Sequence, residues 1–261
     1  MSNLFNTILY EPLLNALIFI YNIFPIKDMG IAIIILTILL RVILWPLSKQ
    51  TIEVQKKMKA IQPLLEEINK KYKDDPQKRA QELMRIYREN KANPATSCLP
   101  LLIQLPILWA VFKVFRNGLK PEALAGLYSF VAKPLAISPF FLGIDYFDLS
   151  KPNIFLAIAT AAAQFWQGKM MSTASPMVQG TASKDEGFQA IINKQMLYLM
   201  PILTLIFGLQ LPSGLMLYWL VSTLLMILQQ WWQFRNKNTV APVLADTAPI
   251  SLPSGENNKK G

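Results

Sequence analysis

The stretch GIAIIILTILLRVILWPLSKQ, from Gly30 to Gln50, decides how the rest of the chain reads. Between Gly30 and Leu47 it is almost all Ile, Leu and Val, the composition of a membrane-spanning helix of about 20 residues. Yet Arg41 sits inside it. An arginine at mid-helix costs about 2.5–3.5 kcal/mol on insertion scales, against roughly −0.3 to −0.6 for each Leu, Ile or Val. About a dozen such residues surround it, so the helix still inserts. Arg41 lies about 9 Å from Leu47 at 1.5 Å per residue. Two readings follow: a side chain that snorkels to the inner headgroups, or one that faces a water-filled pocket between helices, open to the cytoplasm. No predicted span contains Asp or Glu, which sets aside an intramembrane salt bridge.

Composition agrees with a membrane protein. Of 261 residues, 52% are hydrophobic and 16% charged, against about 25% charged in soluble domains. There is no histidine and one cysteine, Cys98. Ser-His and Cys-His catalysis, His-ligated metals and an internal disulfide framework are excluded together. No cofactor, metal site or catalytic residue is expected.

Working outward from residues 30–47, four further stretches approach spanning length: 99–115, 154–171, 196–211 and 214–232. Several lie at or below the lower limit, which implies local bilayer thinning or partial contact with water. Residues 1–28 carry Leu4, Ile8, Leu13, Leu17, Ile20 and Phe24 at helical spacing, interrupted by Asn3, Asn6, Glu11, Asn15 and Asn22. That pattern suits a helix lying on the membrane surface; an additional span is the alternative. The segment lacks the basic start of a cleavable signal peptide.

Orientation follows Lys and Arg in the loops. Residues 1–29 contain only Lys27, whereas 49–93 contain twelve basic residues against seven acids. The N-terminus is therefore placed outside and the C-terminus in the cytoplasm, with Lys113 and Arg116 against the rule. In 49–93, Val54, Met58, Ile61, Leu65, Ile68 and Tyr72 step by alternating fours and threes, a heptad seam. Asp75 and Pro76 then start a second helix with Ala80, Leu83 and Tyr87 on one face, running to about Lys91. The expectation is a cytoplasmic helical hairpin kinked at Pro63. Its lysines are a solvated face or a contact for anionic lipid or a ribosome. Residues 118–150, broken by Pro134 and Pro139, are expected to skim the outer interface, and 239–261 form a Pro/Ser/Ala tail of disordered composition.

Neutral polar groups accompany Arg41. Thr37 is four residues earlier on the same helical face. Gln104 lies between Pro100 and Pro106, Gln164 and Gln167 lie in the third predicted span, and Trp219, Ser222 and Met226 share a stripe in the fifth. One arginine, several neutral polar groups and no acids describe a groove that attracts negative charge and solvates polar peptide.

These pieces resemble the YidC/Oxa/Alb family of membrane protein insertases. The resemblance rests on IILTILLRVILWPL, KMKAIQPLLEEINKKYKDD, ELMRIYRENKANP, CLPLLIQLPILWAVF, FFLGIDYFDLSKPN and LPSGLMLYWLVSTLLMILQQ, and covers roughly residues 5–236. It implies an all-α membrane protein of five transmembrane helices around a cytoplasm-open hydrophilic groove, with an N-terminal interfacial helix and a mobile cytoplasmic hairpin. It implies a bacterial inner-membrane protein that inserts nascent or newly made membrane proteins, alone or with the Sec translocon. Ribosome and targeting-receptor contacts through the hairpin are part of the same expectation; direct sequence-specific binding of nucleic acid is not. It places Arg41, Thr37 and Gln104 in the groove, and Tyr218 and Trp219 where substrate helices pass; Gln164 and Ser222 are added to the groove from the span pattern. The expectation is a short form without the large periplasmic domain of some members, and residues 235–261 carry four basic residues against Asp246 and Glu256 rather than a long basic tail. The rival readings are a small anion channel or transporter, which also wants a buried arginine, and a membrane assembly factor.

Overall fold

The computed structural model describes residues 2–93, 99–118, 120, 124, 126–135, 137–171 and 197–235. Its main helices are α1 (Glu11–Ile23), α2 (Met29–Ile43), α3 (Trp45–Lys71), α4 (Pro76–Glu89), α5 (Leu99–Lys113), α6 (Ile154–Met171), α7 (Leu197–Gly208) and α8 (Ser213–Arg235). A π-helical turn, Asn6–Tyr10, precedes α1, and another, Val114–Gly118, follows α5. The stretch between the third and fourth predicted spans, 172–195, and the tail 239–261 lie outside the described residues.

Helices occupy all five stretches predicted as spans. Among the described residues, α8 alone is long and apolar enough by itself to cross a membrane. The helix expected over 30–47 instead ends at Ile43, and a 64° bend separates α2 from α3. Pro46 explains the break: it has no N–H to donate to the carbonyl four residues earlier, and its ring crowds that turn. Pro63, where a kink of the hairpin arm is expected, lies inside α3 and does not end it. Pro63 is exposed, so water can solvate the carbonyl it leaves free.

The main core gathers Leu13, Leu17 and Ile18 of α1, Met29 and Ile33 of α2, Ala110 and Val114 of α5 and its turn, and Leu215 and Met216 of α8. α8 lies against both α2 and α6. Close approach is set by small residues: a Cβ on Gly208 would sit 2.7 Å from Ala157 Cβ, and Thr160 Oγ1 donates across to Met216 O at 3.2 Å.

The hairpin α3–α4 has its own small core of Ile61, Ile68, Ile86 and Ala92, flanked by Met58, Leu65, Tyr72, Leu83 and Tyr87. The heptad seam is thus used. Asp75 Oδ1 accepts from Lys78 N at 3.0 Å, the expected N-cap. One correction concerns α4: Ala80 is exposed, and its buried face carries Arg79 and Ile86. The helix closes in a Schellman turn, with Lys91 at φ +48°, its N–H on Arg88 O and Ala92 N–H on Tyr87 O.

The outer segment is not wholly irregular, and the fold is not purely α. Phe140–Phe141 and Ile144–Asp148 form an antiparallel hairpin, turned by Leu142 at φ +55° and Gly143 at φ +67°. This hairpin seats on the start of α2. Asp28 caps α2 through Ile31 N (2.9 Å) and also accepts from Leu142 N (2.5 Å). Gly30 is required there, because a Cβ would run into the Phe141 ring. The asparagines that interrupt the apolar pattern of α1 also have a use: Asn15 Oδ1 accepts from Tyr128 N, and Asn22 Nδ2 donates to Ala132 O. With Tyr21 Oη accepting from Ser138 N, α1 binds the outer segment by three ties. Ser213 N and Gly214 N donate to Lys151 O and Leu149 O, fixing the far end of that segment to α8.

Candidate functional site

The site is built where α2, α5 and α8 meet. Arg41 lies in the last turn of α2, just before the bend. Its Nε donates to Ser222 Oγ of α8 at 2.9 Å, and its Nη2 donates to the same oxygen and to Gln104 Oε1 of α5 at 3.4 Å. Gln104 Nε2 in turn donates to Tyr218 Oη at 3.2 Å. The four side chains form one network across three helices, and every acceptor in it is neutral. Arg41 makes no ion pair among the described residues. A guanidinium carries five N–H donors, and this network engages Nε and Nη2 only. The result is a positive group held by dipoles rather than cancelled by a carboxylate, which leaves its field available to an incoming anion.

Of the residues predicted for the groove, Arg41, Gln104, Tyr218 and Ser222 are brought together. Thr37, one turn before Arg41, is fully buried, and its hydroxyl donates to Ile33 O of its own helix at 2.6 Å. Trp219 is half-buried and packs against the main core. The Oε1 of Gln164 on α6 is buried without a hydrogen-bond partner among the described residues. Its neighbour Gln167 donates to Met226 Sδ of α8.

Below the network, toward α3, lies a small cavity of about 30 Å³ whose wall is largely apolar, from Leu44, Leu47, Ile52 and Ile103, with a few polar groups set into it. Arg41 and Gln104 line it, joined by Ser48, Thr51 and Gln55 of α3 and by Met226 and Gln230 of α8. Its volume matches about one water molecule. Sequence reasoning missed the α3 wall, because residues beyond 48 were assigned wholly to the cytoplasmic hairpin. It also stopped the α8 stripe one turn short: Ser222 and Met226 continue at the same spacing to Gln230, and then to Gln233. Gln55, Gln230 and Gln233 are all buried, and each has an amide oxygen without a hydrogen-bond partner. Such a group costs about 1–3 kcal/mol when desolvated.

A second, apolar cleft of about 490 Å³ opens between α6 and α8, lined by Trp166, Met170, Leu224, Ile227, Leu228 and Trp231. Trp231 and Trp166 are more than half exposed. The two exceptions to the charge rule are also accommodated. Lys113 Nζ donates to Asn6 Oδ1 at 2.6 Å above the Tyr10 ring, and Arg116 lies 5.6 Å from the Phe112 ring centre. Among the described residues no group of His, Cys, Asp and Glu could hold a metal ion.

Comparison with known proteins gives a consistent answer. The family model described as "60Kd inner membrane protein" matches residues 19–240. A "Membrane protein insertase YidC" of Fusobacterium nucleatum is 36% identical over 207 residues, covering 79% of this chain and 86% of that protein. Proteins of the same description from Oleidesulfovibrio alaskensis and Treponema denticola are 33% and 35% identical. There the matched part covers 88% and 84% of this chain but only 39% and 37% of theirs. By the match over most of its length, and by identity above 30% with these proteins, the chain belongs to the 60Kd inner membrane protein family of membrane protein insertases.

Proposed function

We propose that this protein inserts membrane proteins into a bacterial inner membrane by drawing a client's polar segment toward Arg41. The observation that carries the reading is a charge held, among the described residues, by the neutral partners Ser222 and Gln104 at the junction of three helices. A polar segment crossing lipid meets a layer without hydrogen-bond partners, where each bare polar group costs several kcal/mol. A polar site part-way across shortens that layer, and the uncancelled guanidinium favours acidic tails. The client's apolar segment meanwhile slides in the cleft between α6 and α8, whose indole and methionine walls suit varied side chains.

Five helices cross the bilayer in this reading, with the N-terminus outside, α1 at the outer interface, and the α3–α4 hairpin and the C-terminus in the cytoplasm. Apart from α8, the helices are short for spans of a full bilayer. α2 extends about 22 Å and α7 about 18 Å at 1.5 Å per residue, against a hydrocarbon core of about 30 Å. A locally thinned bilayer follows, which itself lowers the barrier. An anion channel needs a path to the outside. The seal of Phe141 on Gly30, with the ties from Asn15, Tyr21 and Asn22, argues against one. The basic hairpin suits contact with the ribosome, a targeting receptor or anionic lipid, and cooperation with the Sec translocon fits the same role.

The test uses purified protein in liposomes and a small single-span client with an acidic tail. Protease protection of the tail should appear with wild type and fall by at least tenfold with Arg41→Ala, both proteins being folded. Equal protection with the two proteins would remove Arg41 from the mechanism.

A further inference from the structure

The cavity beneath Arg41 has a lining the insertion reading does not yet use. Gln55 of α3 and Gln230 of α8 both line it, 7% and 1% exposed, each with an unpartnered amide oxygen. Gln229 and Gln233, also on α8, carry further unpartnered amide atoms, and both are buried. Buried polar groups in folded proteins are nearly always paired, so the two unpaired amide oxygens of Gln55 and Gln230 in one cavity ask for a donor from outside the chain.

We propose that Gln55 and Gln230, with Ser48 and Thr51 beside them, form a main-chain-binding station at the groove mouth: it takes the uncharged peptide backbone of an extended client segment before that segment reaches Arg41. This rests on the insertase reading. A glutamine amide offers one acceptor and two N–H donors, so it pairs with a peptide group in either direction. It carries no charge, so it reads no particular side chain and suits clients of any tail sequence. Ser222, Met226, Gln230 and Gln233 follow one another along one stripe of α8, and from Ser222 to Gln233 the helix rises about 16 Å. That length accommodates about five residues of extended chain. The station and Arg41 thus divide the work: the glutamines recognise backbone, and the guanidinium recognises carboxylate.

The station is closed in this structure, since a cavity of about 30 Å³ admits a water molecule and no peptide. Its removable wall is α3. This helix leaves α2 at the 64° bend, and near Gln55 it touches the end of α8 through Lys56 and Lys59, 5.8 and 5.3 Å from the Phe234 ring centre. A swing of α3 beyond Leu44, which itself packs against the main core, would part the Gln55 wall from the Gln230 wall.

The experiment measures insertion by proteoliposomes of wild type, Gln55→Met, Gln230→Met and the double variant. Each is supplied with two clients that differ only in an acidic or a neutral tail. Thermal unfolding is recorded for all four proteins. The proposal expects the double variant to lose roughly tenfold in rate on both clients, the scale of one lost hydrogen bond at the barrier. It also expects an unfolding temperature equal to or above that of wild type, because an unpaired buried amide has been removed. A synthetic client N-methylated along its tail backbone should be inserted more slowly than its parent by wild type, after subtraction of protein-free liposomes. The double variant should not tell the two apart. Unchanged rates would assign the amides to bound water alone. A loss confined to the acidic tail would make them supports of Arg41, and a loss that tracks a lower unfolding temperature would make them structural; each overturns the station. A wild type that inserts neither client would sink the insertase reading itself.

Discussion

The bond between Arg41 and Ser222 joins α2 to α8, and its strength can be worked out and measured. Two N–H groups of one guanidinium converge on one hydroxyl oxygen, Nε at 2.9 Å and Nη2 beside it. Neutral hydrogen bonds between helices in lipid average about 0.6 kcal/mol and reach about 1.7. A charged donor raises the expected range to about 1.5–3 kcal/mol. Ser222→Ala leaves the guanidinium only the longer contact to Gln104, so the expected coupling between Arg41 and Ser222 is about 2 kcal/mol. The assay is a double-mutant cycle of wild type, Arg41→Met, Ser222→Ala and both together. Reversible unfolding of each is measured in the same bilayer or micelle. Ser222 also hydrogen-bonds Tyr218, so Ser222→Ala should cost something in either background, but about 2 kcal/mol more in the wild type than in Arg41→Met. Additivity within about 0.5 kcal/mol would mean that the two side chains do not interact, and the claim of an arginine held by neutral partners would fail.

Three further outcomes are expected. Gly30→Ala should cost about 1–3 kcal/mol by overpacking and loosen the outer hairpin, because its methyl group would meet the Phe141 ring; Gly30→Ala combined with Phe141→Ala should recover part of that loss, read by protease access to residues 126–150. Ile86→Ala should destabilise the α3–α4 hairpin by about 2–5 kcal/mol, since Ile86 is fully buried there, and limited proteolysis should cut the hairpin while the main core stays intact. Burial alone would raise the Asp148 carboxyl, but hydrogen bonds from Ser150 and Lys151 reverse that and hold it below its ordinary 3.8. Its contribution is therefore complete above that value and lost as pH falls through the lower folded one, so the stability gap between wild type and Asp148→Asn should close as pH drops below 3.8.

The positions of the helices were legible because apolar length and the loop charges are local signals. Arg41 could be singled out on cost alone, and Gln104 and Ser222 followed from the search for neutral partners. Other features depend on contacts distant in sequence. Asn15 and Asn22 look like interruptions of an amphipathic pattern, whereas they bind backbone more than 100 residues away. The β-hairpin was hidden by Pro134 and Pro139, which suggested irregular chain. Its FF and IDYF segments carry strand-type residues around Leu142-Gly143, a turn signal that was passed over. Pro46 and Pro63 show how context decides: one breaks a helix and the other lies on a solvated face. Gln55 and Gln230 were missed for a different reason. Glutamine is a common surface residue, and only the fold shows that these are buried beside the arginine.

Arg41 is held here to act by its charge on the client's tail. The most direct measurement compares insertion of two clients with isosteric tails, Asp against Asn at the same positions, by wild type and by Arg41→Gln in the same liposomes. Wild type should favour the Asp tail by severalfold or more, added salt should narrow the gap, and Arg41→Gln should insert both tails at one low rate. A wild type that inserts the Asp and Asn tails equally well would contradict a role for the charge.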